Sequence, residues 1–270
     1  MLLLSEIWIY PVKSLGGISL SQAQLTDRGL EHDRRWLLVD ENGTFLSQRE
    51  HAVLALFQPE MRTSGMVITY RKTGSFIEVP LHYTIDQSLF TVTVWEDFIQ
   101  AFEVDEAISA WFSAILGFSA RLVYMPDESH RKVDTDYSIS SSDVTSFSDA
   151  YPFLIIGQSS LDALNNRLKS PINMSRFRPN FVFTGGEPYE EDTWREFNIG
   201  TLLFYGVKPC GRCVMTTIDQ ERGVISGKEP LKTLAKYRMK GNNVLFGQNL
   251  IGPTAGLVTV GDILTLKKWI

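Results

Sequence analysis

Short apolar runs separated by turn residues fill the first hundred positions, and they limit what this chain can become. The segments "SEIWIYPV", "GISLSQAQLT", "RRWLLVD", "TFLSQ", "MVITY", "FIEVPL" and "FTVTVW" are rich in β-branched and aromatic residues. Runs so brief, bounded by Gly, Pro and Asn, read as strands. The Asn42-Gly43 pair between "RWLLVD" and "TFLSQ" predicts a hairpin. At "VDEAISAWFSAILG" the period changes: Ile108, Trp111, Phe112 and Ile115 fall on one helical face and Asp105 is placed to cap it.

The fold class expected is therefore α+β and β-rich, with one unit over residues 1–120 and a second over 121–270. With 270 residues, one large or two modest domains are expected. The Ser- and Asp-rich stretch from Asp127 to Ser146 suits a long loop that joins the units or lies over a site. The second unit follows with a strand at "YPFLIIG" and a helix from Ser159 through Leu168. Strands are expected at "NFVFTGG", "FNIGTLLFYGV" and "CVMTTID". A helix opens at "KEPLKTLAKYR" with Pro230 in its first turn, and "GLVTVGDILTLKKWI" reads as a strand pair around a Gly-Asp turn.

A hydrophobic fraction of 44% and a charged fraction of 21% describe an ordinary soluble chain. The net charge of -5 argues against a nucleic-acid partner. The start, "MLLLSEIWIYPVKS", has the pattern of neither a signal peptide nor a membrane span, so no membrane association is expected. Two cysteines provide no disulfide framework, which points to a reducing compartment and a cytoplasmic location.

Those two cysteines, Cys210 and Cys213 in "KPCGRCVMTTID", carry the chemistry to be explained. A structural zinc site would need further ligands, and His32, His51, His82 and His130 are scattered. A redox dithiol has this spacing but opens a helix, whereas a strand-like "VMTTI" follows here. Two ordinary cysteines are a third possibility. A fourth is one reactive thiolate, favoured because Lys208, Arg212 and Arg222 lie close in sequence and cations stabilise a thiolate.

The segment "KPCGRCVMTTIDQERGVISGKEPLKTL" followed by "LFGQNL" resembles the core of the MOSC domain. "IYPVKSLGG" and "DRRWLLVD" resemble the family's N-terminal β-barrel domain, and "SFSDAYPFLIIGQSSLDALNNRL" and "RFRPNFVFTGG" the start of the MOSC domain. The resemblance implies an N-terminal β-barrel-like domain followed by a MOSC β-barrel domain with peripheral helices. It implies a molybdenum cofactor (molybdenum-molybdopterin) whose metal is bound by Cys213, with Cys210 not a ligand.

By the same resemblance Lys13, Ser14, Arg34, Arg178 and Asn180 address the cofactor, with Ser148 and Arg49 as further contacts. Asp149 stands near the metal as a catalytic proton carrier beside Cys213. Lys13 and Ser14 precede Gly16-Gly17, where a lysine, a hydroxyl and free backbone N–H groups could hold a phosphate. The implied activity is reduction of small N-hydroxylated compounds such as amidoximes, hydroxylamines and N-hydroxylated base analogues. Two cysteines leave no iron–sulfur cluster in this chain. Electrons are therefore expected from a separate ferredoxin-, flavodoxin- or cytochrome-type protein with its reductase. The alternatives are a carrier of the molybdenum cofactor and a sulfur carrier with a persulfide on Cys213. The acidic run "GEPYEEDTWRE" is expected to be a solvated loop, or else a docking face for the electron donor.

Overall fold

The computed structural model describes residues 1–83 and 88–269. Strand outweighs helix, 43% to 15%, and the strands build a closed seven-strand barrel and a half-barrel, the β-rich class expected. Going round the closed barrel, the strands are Leu2–Ile9, Ile263–Trp269, Trp194–Ile199, Leu202–Arg212, Asn243–Ile251, Phe153–Gly157 and Phe181–Thr184, and the last pairs back to the first. All neighbours are antiparallel except Phe153–Gly157 against Phe181–Thr184. The chain's first strand is thus a stave of the barrel built otherwise from residues 153–269. Its interior is aromatic. Phe153, Phe181, Phe183, Trp194, Phe197 and Phe204 are all buried, and each contributes about 1.5–3 kcal/mol by leaving water.

The intervening residues form a four-stranded sheet (Trp36–Val39, Arg121–Tyr124, Asp97–Glu103, Phe90–Val94) and a three-stranded sheet (Phe57–Arg62, Gly65–Tyr70, Phe76–Val79). The helix α1, Glu106–Leu116, packs Ile108 and Phe112 into the core that also holds Trp36 and Phe57. Asp105 caps it, accepting hydrogen bonds from the N–H groups of Ala107 and Ile108, and Gly117 ends it in the left-handed region at φ 79°.

Several expected elements take another form. Asn42-Gly43 does reverse the chain, with Gly43 at φ 79°, but "TFLSQ" forms only isolated bridges, Val39 to Phe45 and Thr44 to Thr93. It leaves the sheet early, and residues 47–49 turn toward the second unit. "CVMTTID" is not one strand: Cys213 precedes a 3-10 turn, Val214–Thr217, before the short strand Ile218–Asp219. The threonine hydroxyls stabilise that turn, Thr216 donating to Cys213 O and Thr217 to Val214 O. The Gly-Asp turn near the end joins two strands that do not pair with each other. Gly256–Thr259 joins Gln22–Thr26, while Ile263–Trp269 enters the barrel. The helix α2, Gln158–Asn165, stops before Leu168.

Nor is the acidic run a solvated loop throughout. Glu191 is fully buried, accepting from Gly157 N–H and Ser160 Oγ, and Asp192 is ion-paired to Arg238. These two side chains hold the run to the barrel and are not free to dock a partner. No helix among the described residues is long and apolar enough to cross a membrane.

Candidate functional site

One recess of about 250 Å³ gathers the residues expected to address the cofactor or the metal: Lys13, Ser14, Arg34, Arg49, Ser148, Asp149, Arg178, Asn180 and Cys213 all line it. They come from segments far apart in the chain, and backbone strain marks their placement. Ser14 (φ 70°), Arg34 (φ 51°), Arg178 (φ 54°) and Trp95 (φ 57°) all sit in the left-handed region while lining the recess. Non-glycine residues hold that conformation at a cost of about 1–3 kcal/mol, and such strain collects at functional sites.

Lys13 follows the end of strand Leu2–Ile9 and is buried, with Nζ 2.6 Å from Asp149 Oδ1. Burial is the main influence on Lys13 and lowers its pKa to about 8, with Asp149 pulling it partly back up. Asp149 opens into the recess, its side chain 61% exposed. Desolvation raises its pKa, but the charges of Lys13 and Arg49 and the hydrogen bond from Lys13 outweigh that and hold the carboxyl well below the usual carboxylate range. In this arrangement Asp149 is an ionised counter-ion.

Arg34 and Arg178 form a second group. Arg34 pairs with the buried Asp33, donates to Asn180 Oδ1 at 3.0 Å, and donates to the Arg178 carbonyl at 3.1 Å. Arg178 donates to Leu15 O at 2.6 Å. Both guanidiniums lie against the Tyr10 ring, at 4.6 and 4.1 Å from its centroid. Burial lowers the Arg178 pKa to about 10, which leaves it charged at neutral pH. The Ser148 hydroxyl bonds Tyr151 O and Thr145 Oγ1, so its side chain shapes the wall. The amide cradle expected at "VKSLGG" is narrower than its sequence implies, because Gly16 N–H is bonded to Phe57 O and Leu15 N–H to Val12 O.

At Cys213 the cation is not one of the expected sequence neighbours. Arg49, from the first unit, directs Nε to Cys213 Sγ at 3.3 Å. Lys208 instead lies 4.0 Å from the Tyr137 ring centroid, and Arg222 lines a separate recess. Arg212 contacts the other thiol, donating to Cys210 Sγ at 2.9 Å. Both cysteines are free and half-buried. Among the described residues no group of three or more His, Cys, Asp or Glu could hold a bare metal ion, so the further ligands of a zinc site are not beside them.

Sequence reading missed several residues here. Arg176 lines the recess from the same "RFRPN" motif as Arg178. Arg212, expected beside the reactive thiolate, lines it too but serves Cys210. Arg131 was invisible, since it lies in the Ser- and Asp-rich stretch. It is buried, ion-paired to Asp97, and donates to the carbonyls of Ser146, Ser148 and Asp149, fixing the loop that bears Asp149. Trp95 lines the mouth.

The charge balance favours an anionic ligand. Lys13 and five arginines face a single carboxylate, Asp149, across this recess, in a chain whose net charge is -5. Such a wall suits a polyanion, and two thiols, Cys210 and Cys213, stand among the cations. A molybdopterin, with its phosphate, its flat polar rings and a soft metal to be ligated by one thiolate, fits that donor set.

Comparison with known proteins agrees. Residues 1–119 match the MOSC N-terminal beta barrel domain and residues 142–265 the MOSC domain. The chain is 32% identical to human mitochondrial amidoxime-reducing component 1 over 96% of its own length and 81% of that protein. It is 34% identical to molybdenum cofactor sulfurase of Oryza sativa subsp. japonica over 90% of this chain and 32% of that protein. Among solved structures, the YuaD protein of Bacillus subtilis aligns over 98% of this chain and 94% of that one, at 9% identity and a TM-score of 0.44. The two domain matches, in this order along the chain, and the 32% identity to the human relative over nearly the full length of this chain show that it belongs to the MOSC-domain family, with the MOSC N-terminal beta barrel domain preceding the MOSC domain.

Proposed function

We propose that this protein is a molybdenum-cofactor-dependent oxidoreductase that reduces small N-hydroxylated compounds, amidoximes and hydroxylamines among them, with electrons from a separate donor protein. The observation that carries this reading is Cys213, one of two thiols in a recess walled by six cations against one carboxylate and the one that Arg49 addresses. The name of the human relative, an amidoxime-reducing component, supports the reaction class.

In this reading Cys213 is the protein's ligand to the metal, and Arg34, Arg178, Lys13 and Ser14 hold the anionic end of the cofactor. Asn180 fixes Arg34 by accepting its hydrogen bond. The bound cofactor supplies a two-electron redox couple for removing the hydroxyl oxygen of the substrate. Asp149 lies beside both Lys13 and Arg49. It is ionised at neutral pH, so it receives a proton only after a bound anion has offset the charge of those cations.

The test is metal and pterin analysis of the protein from a host that makes the cofactor, beside Cys213→Ala, with amidoxime turnover under a chemically reduced donor. Near-stoichiometric molybdenum in the parent, its loss in the variant, and turnover by the parent alone are expected. Molybdenum without turnover under any reduced donor would mark a carrier. A parent that lacks molybdenum but carries one extra sulfur on Cys213 would mark a sulfur carrier and end the reductase reading.

A further inference from the structure

The hairpin between strands Phe90–Val94 and Asp97–Glu103 closes with only two residues, Trp95 and Glu96. Two-residue hairpins take Gly, Asn or Asp where φ is positive. Here Trp95 occupies the first loop position at φ 57°, a conformation that is an outlier for a bulky side chain. The ring is not buried as compensation, since Trp95 is 44% exposed.

What the strained backbone achieves is visible in the contacts of the ring. The Arg49 guanidinium lies over the Trp95 indole, 4.2 Å from its centroid. The Phe45 ring lies 5.0 Å from Trp95 and also has Lys13 Nζ within 5.7 Å. The hairpin is anchored in turn, because Asp97, two positions on, is ion-paired to Arg131, which grips the Asp149 loop. Arg49 held on this platform reaches Cys213 Sγ with Nε at 3.3 Å and Asp149 with Nη2 at 3.7 Å.

We propose that Arg49 is the fixed hydrogen-bond donor to the Cys213 sulfur and that Trp95 is the residue that positions it. The first unit thereby tunes a metal ligand carried by the second. A cation donating to a ligating sulfur withdraws electron density from it, which favours the reduced metal and raises the reduction potential. Arg49 supplies this better than lysine could, because a planar guanidinium stacks on an indole while an Nε–H points sideways. The tuning claim rests on the reductase reading above; the coupling of Trp95 to Arg49 does not.

Two measurements test it. On metal-free protein, thermal unfolding is compared for the parent, Arg49→Met, Trp95→Asn and the double variant. Asparagine tolerates positive φ, so Trp95→Asn relieves the turn while removing the platform. A Tm shift in the double variant smaller than the sum of the single shifts is expected, and additive shifts would overturn the positioning role. On molybdenum-loaded protein, potentiometric titration is expected to give a more negative midpoint potential in Arg49→Met and Trp95→Asn, with Trp95→Phe retaining the parent value. An unchanged potential in Arg49→Met, with molybdenum present, would overturn the tuning and leave the proposed function standing. A parent without molybdenum would overturn the proposed function and the tuning together, and the metal-free comparison would still decide the positioning.

Discussion

Lys13 Nζ and Asp149 Oδ1 stand 2.6 Å apart although 136 positions separate them in sequence. Lys13 is buried among cations, Arg49 and Arg131 both lowering its pKa. Without Asp149 the recess would repel its own lysine, so the ion pair keeps the site assembled until an anion arrives. The one carboxylate in the lining is in this respect a placeholder for the ligand.

The same pair sets a pH dependence. The folded-state pKa of Lys13, about 8, lies below its ordinary value of 10.5. The protonated lysine therefore opposes folding of the ligand-free protein below pH 8, and that penalty disappears as pH rises from 8 toward 10.5. Anion binding has the opposite preference, since it favours the ammonium. Affinity for inorganic pyrophosphate should fall as pH rises above 8, by about tenfold per pH unit for one linked proton. In Lys13→Arg that fall should move to higher pH. Calorimetric titration between pH 7 and 10 checks this, and a flat profile for the parent would remove Lys13 from the anion site.

Asn180 ties three parts of the fold to the site. Its Oδ1 accepts from Arg34 Nη1 at 3.0 Å and from Leu154 N–H at 3.2 Å, and its Nδ2 donates to Trp8 O at 3.2 Å. It is 1% exposed, so no water replaces these bonds. Asn180→Ala is expected to lose about 2–4 kcal/mol of stability, from unpaired backbone groups in the barrel and a freed Arg34. Urea unfolding of the metal-free protein measures it; a loss below about 1 kcal/mol would mean that the network is loosely made.

Residue type and local pattern made the site legible, and three-dimensional adjacency hid the rest. Cys213, Lys13 and Arg178 stand in short motifs, so they could be named from sequence. The partner of Cys213 could not, because Lys208 and Arg212 are nearer in sequence than Arg49, 164 positions away, which makes the contact. Arg131 acts through backbone carbonyls, which leave no mark on residue identity. Local propensity likewise found α1 with its Asp105 cap. It misassigned "CVMTTID", since β-branched residues favour a strand until two threonine hydroxyls bond back to form a 3-10 turn.

At Gly206 two backbones of the barrel wall approach closely. A Cβ at Gly206 would stand 2.0 Å from the Trp194 carbonyl oxygen, a contact no side-chain rotation relieves. Gly206→Ala must push the strands Trp194–Ile199 and Leu202–Arg212 apart, in the wall that continues to Cys210. A loss of about 3 kcal/mol or more is expected, or failure to fold. Circular dichroism melting against the parent checks this, and an unaffected Tm would place the two strands farther apart than described.

Glu191 carries the second pH dependence, away from the site. Burial raises its pKa from 4.5 to about 7, although Gly157 N–H and the Ser160 hydroxyl partly oppose this by donating to the carboxylate. A folded-state pKa above the unfolded one means that the protonated acid stabilises the fold. That contribution is complete below pH 4.5 and is lost as pH rises through 7. Glu191→Gln keeps the shape and the neutral form, with the amide oxygen still able to accept from Gly157. The parent should lose on the order of 3 kcal/mol between pH 4.5 and 8 through this group. The variant should lose none of that portion and be the more stable protein at pH 8. Urea unfolding of both at pH 5 and pH 8 decides the matter: parallel pH slopes would show that Glu191 ionises in the fold without penalty, and its burial beneath α2 would then need another explanation.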